Sequence, residues 1–362
     1  MIVGFLLVLG PLVVLHELGH YAVGRLCGVK VDVFSVGFGK EIAGWTDRRG
    51  TRWKLSSLPL GGYVQFAGDM NPASQPSEEW LSLPPDERAM TFQAKALWQR
   101  SLIVAAGPVT NLLVAVAIFA AFFLAIGKQI TPPVVAGFAE QSTARAAGLQ
   151  IGDRIAAVDG EEISSFIDLA QRIELYPGGV AKLTVRRGEA AQTFTVPIAS
   201  TLVKDQFGNS TRLGRIGIIS EGLEWQKVGP GEAVELSFGY CIGIVRMMVT
   251  GIGQILTGER SVREMGGPIK IAKYSGEQLS LGPLMFVQFV AMISINLAFI
   301  NLLPIPALDG GHLAFYAAEA VRRKPLGPRS QEWAYRTGIA FVLALMLFVT
   351  INDVASLLSF GS

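Results

Sequence analysis

Residues 1–24 read MIVGFLLVLGPLVVLHELGHYAVG, an apolar run interrupted only by His16, Glu17 and His20. A run of this length can cross a hydrocarbon core of about 30 Å. It lacks a basic leading region and a convincing small-residue cleavage site, so it reads as a retained span and not as a cleaved signal. Two histidines and a glutamate are costly inside a membrane and mark function when they occur there. On a helix, positions i and i+4 share a face, so His16 and His20 can reach one metal ion while Glu17 approaches a water beside it. The alternative is a pair of helix-interface histidines satisfied by hydrogen bonds, with Glu17 neutral.

Working outward, residues 101–127 and 283–308 also lack any charge, as do residues 337–352, a run that extends to Phe360 past a single Asp353. Residues 128–224 instead carry both signs of charge at the density of a water-soluble domain. The pattern predicts a polytopic α-helical membrane protein with four transmembrane helices and a soluble domain inserted between the second and third. Composition agrees: of 362 residues, 50% are hydrophobic and only 17% charged, with a mean hydropathy of +0.42. An ordinary soluble chain runs near 25% charged, and a disordered one needs low hydrophobicity. A net charge of +2 leaves no basic footprint for nucleic acid. Two cysteines, Cys27 and Cys241, are too few for a disulfide framework or a cysteine-built zinc site.

Orientation follows from the basic residues. None precedes Arg25, whereas the loop from 25 to 100 is rich in them, and Arg322, Arg323, Lys324 and Arg329 follow the third span. Both loops are expected in the cytoplasm, with both termini and the inserted domain outside. Cys27 and Cys241 then fall on opposite sides of the membrane. Residues 233–257 are apolar enough for a fifth span, which would carry Asp309 away from His16 and His20. Arg246 and five glycines between Gly239 and Gly258 favour an interfacial or packed amphipathic helix there.

A catalytic zinc site commonly has three protein ligands and one open position. The best third candidate is Asp309, in Asn301-Leu-Leu-Pro304-Ile-Pro306-Ala-Leu308-Asp309-Gly310-Gly311-His312. The prolines stop the third span and the glycines free the backbone, so Asp309 stands where a helix has come undone. The bland alternative is a proline-glycine turn at a membrane exit with Asp309 capping the next helix. His312 is the rival ligand.

Together, the HELGH motif, the 301–311 motif and Gly107-Pro108-Val-Thr-Asn111 resemble the site-2 protease family of intramembrane zinc metalloproteases (peptidase family M50). The nearest branch is the bacterial regulator-of-sigma-E type, with which Gly61-Gly62-Tyr63-Val64 and Gly267-Pro268-Ile269 also agree. The resemblance implies His16, His20 and Asp309 as zinc ligands, Glu17 as catalytic base, and Asn301 as an asparagine that holds the substrate backbone. A helix-packing amide is the alternative for Asn301. Alternating β-branched and aromatic residues over 31–38 and 53–66 suggest strands. The family places a membrane re-entrant sheet here, to whose edge an extended substrate could add; a cytoplasmic packing hairpin is the alternative. Residues 181–186 and 192–198, with Gly148 to Asp153 and Asp159-Gly160, resemble a PDZ domain in its bacterial circular order, with a short strand expected over 215–219. There is room for one such domain, whereas enterobacterial relatives carry two. It would bind peptide or act only as a steric cap.

The expected organisation is a first span at 1–27; a cytoplasmic-side segment at 28–97 containing the re-entrant β region of about 31–66; a second span at 98–127; and a periplasmic PDZ domain at 128–222. Then follow a membrane-associated region at 223–280, a third span at 281–303, the Asp309 motif and cytoplasmic loop at 304–333, and a fourth span at 334–360. The implied activity is zinc-dependent cleavage of single-span proteins within the bacterial inner membrane, in lipid, as in sigma-E stress signalling. Trimmed anti-sigma factors and remnant signal peptides are the implied substrates. A membrane zinc carrier would need ionisable residues along several spans, and the second and third supply none before Asp309. A PDZ-bearing scaffold with a vestigial metal site would not require Glu17 beside both histidines.

Overall fold

The apolar opening forms one continuous helix, α1 (Ile2–Leu26), apolar on every side up to Leu15, before the turn that carries His16, Glu17 and His20. In this computed structural model the elements that follow are β1 (Val31–Thr46), β2 (Arg52–Phe66), α2 (Pro85–Ala89) and α3 (Leu97–Ile126). The inserted part holds β3 (Lys128–Ile130), β4 (Gly137–Phe138), α4 (Thr143–Ala146), β5 (Arg154–Val158), β6 (Glu161–Glu162) and α5 (Phe166–Glu174). It continues with β7 (Val180–Arg187), β8 (Ala190–Pro197), β9 (Ala199–Lys204), β10 (Ser210–Arg215), β11 (Ile218–Ile219), β12 (Glu224–Gln226) and α6 (Pro230–Leu256). The chain ends with α7 (Pro268–Ser280), α8 (Pro283–Leu302), α9 (Asp309–Arg322) and α10 (Pro328–Ser359).

The structure describes residues 1–68, 82–163, 165–188, 190–204, 210–222, 224–259, 261, 266–324 and 327–359. They form two units, one from residues 1–119 with 265–362 and one from 120–264. Phe360, the expected end of the fourth span, lies outside the described residues, as do 69–81 of the segment 28–97 and the expected domain boundary at 223.

In the first unit, Val8 and Leu12 of α1 pack with Ile293 of α8. Farther along α1, Gly19 meets α3 so closely that a Cβ there would stand 2.6 Å from the Ala106 carbonyl oxygen. Contacts advance from residue 8 to 20 on α1 as they advance from 293 to 309 after it, and they fall from 111 to 103 on α3. Thus α1 and α8 run in the same direction and α3 opposes them. Helix α7 packs beside α1 and is capped by the terminal helix: the fully buried Asp353 accepts the Gly267 and Lys270 amides at 3.0 Å each, satisfying donors that a helix start leaves free.

Strands β1 and β2 form a long antiparallel hairpin that folds over, so that Val33 is opposite both Gln65 and Arg52, and Val36 opposite both Gly62 and Leu55. Its base joins a buried cluster of Val29, Val31, Phe66, Phe92, Ile103 and Tyr316. Its far end exposes Phe38, Ile42, Trp45, Leu55 and Leu58. β1 continues well past residue 38, where alternation in the sequence gives out.

In the second unit, β6, β5, β7 and β8 form a four-stranded sheet in that order. It packs with α5, which opens on a Ser165–Asp168 capping box, around Ile155, Leu169, Ile173, Leu183, Val185 and Val196. The Arg187 guanidinium grips the buried Asp153 carboxylate with two bonds of 2.7 Å and holds it below the usual carboxylate range. One strand was expected over 215–219, but Arg215 ends β10, and Gly217, at φ +70°, separates it from β11.

Five helices, not four, are long and apolar enough to cross a membrane: α1, α3, α6, α8 and residues Ser330–Ala355 of α10. The additional one is α6, which its glycines do not interrupt. A Cβ at Gly239, Gly243 or Gly253 would meet nothing within 4 Å, so these residues weaken helix propensity without marking a break.

Candidate metal centre

The HELGH spacing places His16 and His20 one turn apart on α1, with ring centroids 4.8 Å apart. Their Nε2 atoms approach to 3.2 Å. Asp309, at the first position of α9, brings Oδ2 to 3.2 Å from His16 Nε2 and 3.6 Å from His20 Nε2. In a tetrahedral zinc site with bonds of about 2.0–2.1 Å, ligand atoms lie about 3.3–3.4 Å from one another. The observed triangle matches that spacing. Asp309 Oδ2 is shielded from solvent and accepts no hydrogen bond, which is costly for a carboxylate oxygen and is relieved by a cation. The three side chains are the group of potential metal ligands found among the described residues, and their chemistry fits zinc.

Neighbouring helices orient both imidazoles. His20 Nδ1–H donates to the Ile103 carbonyl of α3 at 2.8 Å, which leaves Nε2 free to bind metal. The Asn111 side-chain amide lies 3.2 Å from His16 Nδ1, and its Oδ1 is buried without a partner. Turning that amide over places Oδ1 on the Nδ1–H that a metal-binding His16 carries. Asn111 is itself held, since its carbonyl accepts the Ser294 hydroxyl of α8 at 2.7 Å. Gly107 makes the space: a Cβ there would stand 2.3 Å from His20 Nε2 and 2.7 Å from His16 Cε1.

Glu17 shares the turn. The Val64 amide of β2 lies against its carboxylate, and a Cβ on Gly62 would stand 3.4 Å from Glu17 Cγ. The hairpin edge therefore runs past the glutamate. Asn301 stands half-buried in the last turn of α8, eight residues before Asp309, and is not one of the three side chains of the triad. His312, three residues after Asp309 at the start of α9, is not part of the ligand triangle. Sequence reasoning brought out the three ligands and Glu17. It noticed Gly107 to Asn111 only as part of a resemblance, although their i, i+4 spacing puts them on one helix face.

The description of peptidase family M50 matches residues 4–345. A candidate zinc metalloprotease of Agrobacterium fabrum is 43% identical over 99% of this chain and 96% of its own length. Metalloprotease MmpA of Caulobacter vibrioides is 33% identical over 98% of this chain and 95% of its own. Among solved structures, the PDZ domain of an SdrC-like protein from Listeria monocytogenes covers 26% of this chain and 92% of its own at 20% identity. Its TM-score of 0.20 is too low to assign the fold of the inserted module. With two histidines and an aspartate meeting at the spacing zinc requires, on a chain matched from end to end, this protein belongs to peptidase family M50 and is a zinc metalloprotease.

Proposed function

We propose that this protein cleaves single-span membrane proteins within the bilayer of the bacterial inner membrane, near its cytoplasmic face. The observation that carries this reading is the position of the metal triad: two ligands stand on the apolar helix α1 and the third begins the helix that follows the apolar helix α8 after a short turn. A site built on spans serves a peptide bond that lies in the membrane.

Zinc, when bound, supplies Lewis acidity to a water and to the scissile carbonyl. Glu17 accepts the proton from the attacking water; as the new carbon–oxygen bond forms and the carbon–nitrogen bond breaks, it returns that proton to the leaving amine. A helical substrate hides its peptide bonds within its own turns. The β2 edge beside Glu17 offers backbone groups to an unwound strand, and Asn301 is the side chain assigned to hold the substrate backbone.

Topology supports a four-span arrangement. Because α1 and α8 run in the same direction, the chain between α3 and α8 must begin and end on one side of the membrane. Helix α6 is tied at both ends to the inserted unit: Lys128 pairs with Glu232 at 2.6 Å, and the Gln254 side chain donates to the Leu175 carbonyl at the end of α5. A span would separate its ends by the membrane thickness, and these ties support reading α6 as a membrane-associated helix that accompanies the inserted module. That module is read as one PDZ domain, outside, with both termini also outside and the basic loops in the cytoplasm. Trimmed anti-sigma factors and signal-peptide remnants are the substrate class, in a sigma-E type of stress response.

Co-reconstitution with a tagged single-span substrate tests the proposal. Wild type is expected to release a fragment cut within the span, and Glu17→Gln and Asp309→Asn to release none. Normal cleavage by both variants would sink it.

A further inference from the structure

Helix α9 delivers Asp309, and the chain before it is a turn in which Pro304 and Pro306 interrupt the helix and Ala307 sits at φ +83°. Backbone bonds from Ile305 N–H to the Leu303 carbonyl and from Leu308 N–H to the Ile305 carbonyl close the turn, and Gly310 packs against the Leu302–Leu303 backbone, so the start of α9 is anchored while its far end extends beyond the turn. Farther along, α9 meets α3 at a seam of side chains. Along α3 the residues are Gly107, Ile103 and Arg100, one turn apart, and along α9 they are Asp309, Tyr316 and Glu319. Gly107 lies under the imidazoles that Asp309 faces. Tyr316 shares a buried cluster with Ile103, the residue whose carbonyl takes the His20 proton. One turn beyond, Arg100 donates to Glu319 at 3.1 Å, with the two side chains only 17% and 18% exposed. The Arg100 guanidinium also covers the Tyr316 ring, 5.1 Å from its centroid.

We infer that the Arg100–Glu319 pair is a positioning clamp that holds α9 in register on α3 and so seats Asp309 as the third metal ligand. This inference rests on the zinc-site reading above. The pair is well placed for the task. Arg100 Nε is buried with no acceptor, so Glu319 is the carboxylate that compensates the guanidinium. Removing one partner leaves the other charge shielded and uncompensated, and the least costly relief is to open the seam and admit water. Opening the seam withdraws Asp309 and leaves two histidines. The clamp thus couples a charge pair at the far end of α9 to the completeness of the metal site.

The test is zinc affinity, read by chelator competition on the full-length protein in detergent, together with the visible spectrum of the cobalt-loaded protein. Glu319→Gln is expected to bind zinc at least about tenfold more weakly than wild type and to show an altered cobalt spectrum. The reversed pair, Arg100→Glu with Glu319→Arg, is expected to restore both. Glu332→Gln, which breaks the exposed Arg336–Glu332 pair, is expected to change neither. Wild-type affinity in Glu319→Gln, or a reversed pair that folds but does not regain affinity, would overturn the clamp. If Glu319→Gln does not fold, the reversed pair decides alone. Absence of zinc binding by wild type would overturn the metal reading itself, and the clamp with it.

Discussion

The chemistry of this chain depends on few polar atoms, and each has a defined counterpart. His16, Glu17, His20 and Asp309 were legible in the sequence because ionisable residues are so scarce in the apolar runs that their spacing alone was informative. Gly107 was not legible in the same way. Its importance is the absence of a Cβ, 2.3 Å from where His20 Nε2 lies, and that arises only when α3 packs on α1. Gly107→Ala is therefore expected to displace both imidazoles and to weaken zinc binding at least about tenfold, as loss of a ligand-orienting contact does, with the helix itself retained because alanine favours helix. Competition with a fluorescent chelator measures it. A second residue-scale outcome concerns Asp153, away from the metal. Its carboxyl is held low by Arg187, so the pair stabilises the fold above the usual carboxylate range, near pH 4, and that contribution is lost as pH falls through the depressed value. Asp153→Asn is expected to cost roughly 2 kcal/mol at neutral pH and to remove this acid sensitivity. Amide exchange in β5 and β7 of the full-length protein, followed by mass spectrometry, reads both effects.

At the scale of elements, the helices followed from uninterrupted apolar runs, and the strands from alternation and glycine breaks. What the sequence hid was tertiary use. The fold-over of the hairpin, with Val33 opposite both Gln65 and Arg52, depends on backbone pairing between residues far apart in the chain, and no local pattern specifies it. Asp353 looked like a lone charge tolerated near the end of a span; it is the cap of α7. Helix α6 is a candidate span by length and hydropathy, and both its ends are tied to other elements of the inserted unit. Cysteine-accessibility mapping at exposed positions of α6 tests its placement. Single cysteines at Glu235 and Leu256, introduced into the protein with Cys27 and Cys241 replaced by serine, are expected to react with a membrane-impermeant maleimide from the outer side. Labelling of the two from opposite sides would make α6 a span.

Across the whole molecule, the hydrophobic spans and the hydrophilic inserted unit divide the work of the chain. The first unit assembles the metal site from α1, α3, α9 and the hairpin edge, and the second folds about its own sheet and core. The charge asymmetry of the sequence gives an expected orientation of the spans, which the labelling of α6 tests. The meeting of residues about 290 positions apart, His16 and His20 with Asp309, was implied by the family resemblance, and the folded chain supplies its geometry, with α1 and α8 running in the same direction. That convergence is the central claim, and X-ray absorption at the zinc edge of the purified full-length protein tests it most directly. Two imidazole nitrogens and carboxylate or water oxygens at about 2.0–2.1 Å are predicted, with one imidazole lost in His20→Ala and one oxygen in Asp309→Ala. Sulfur scattering, or a wild-type shell unchanged by either substitution, would contradict it.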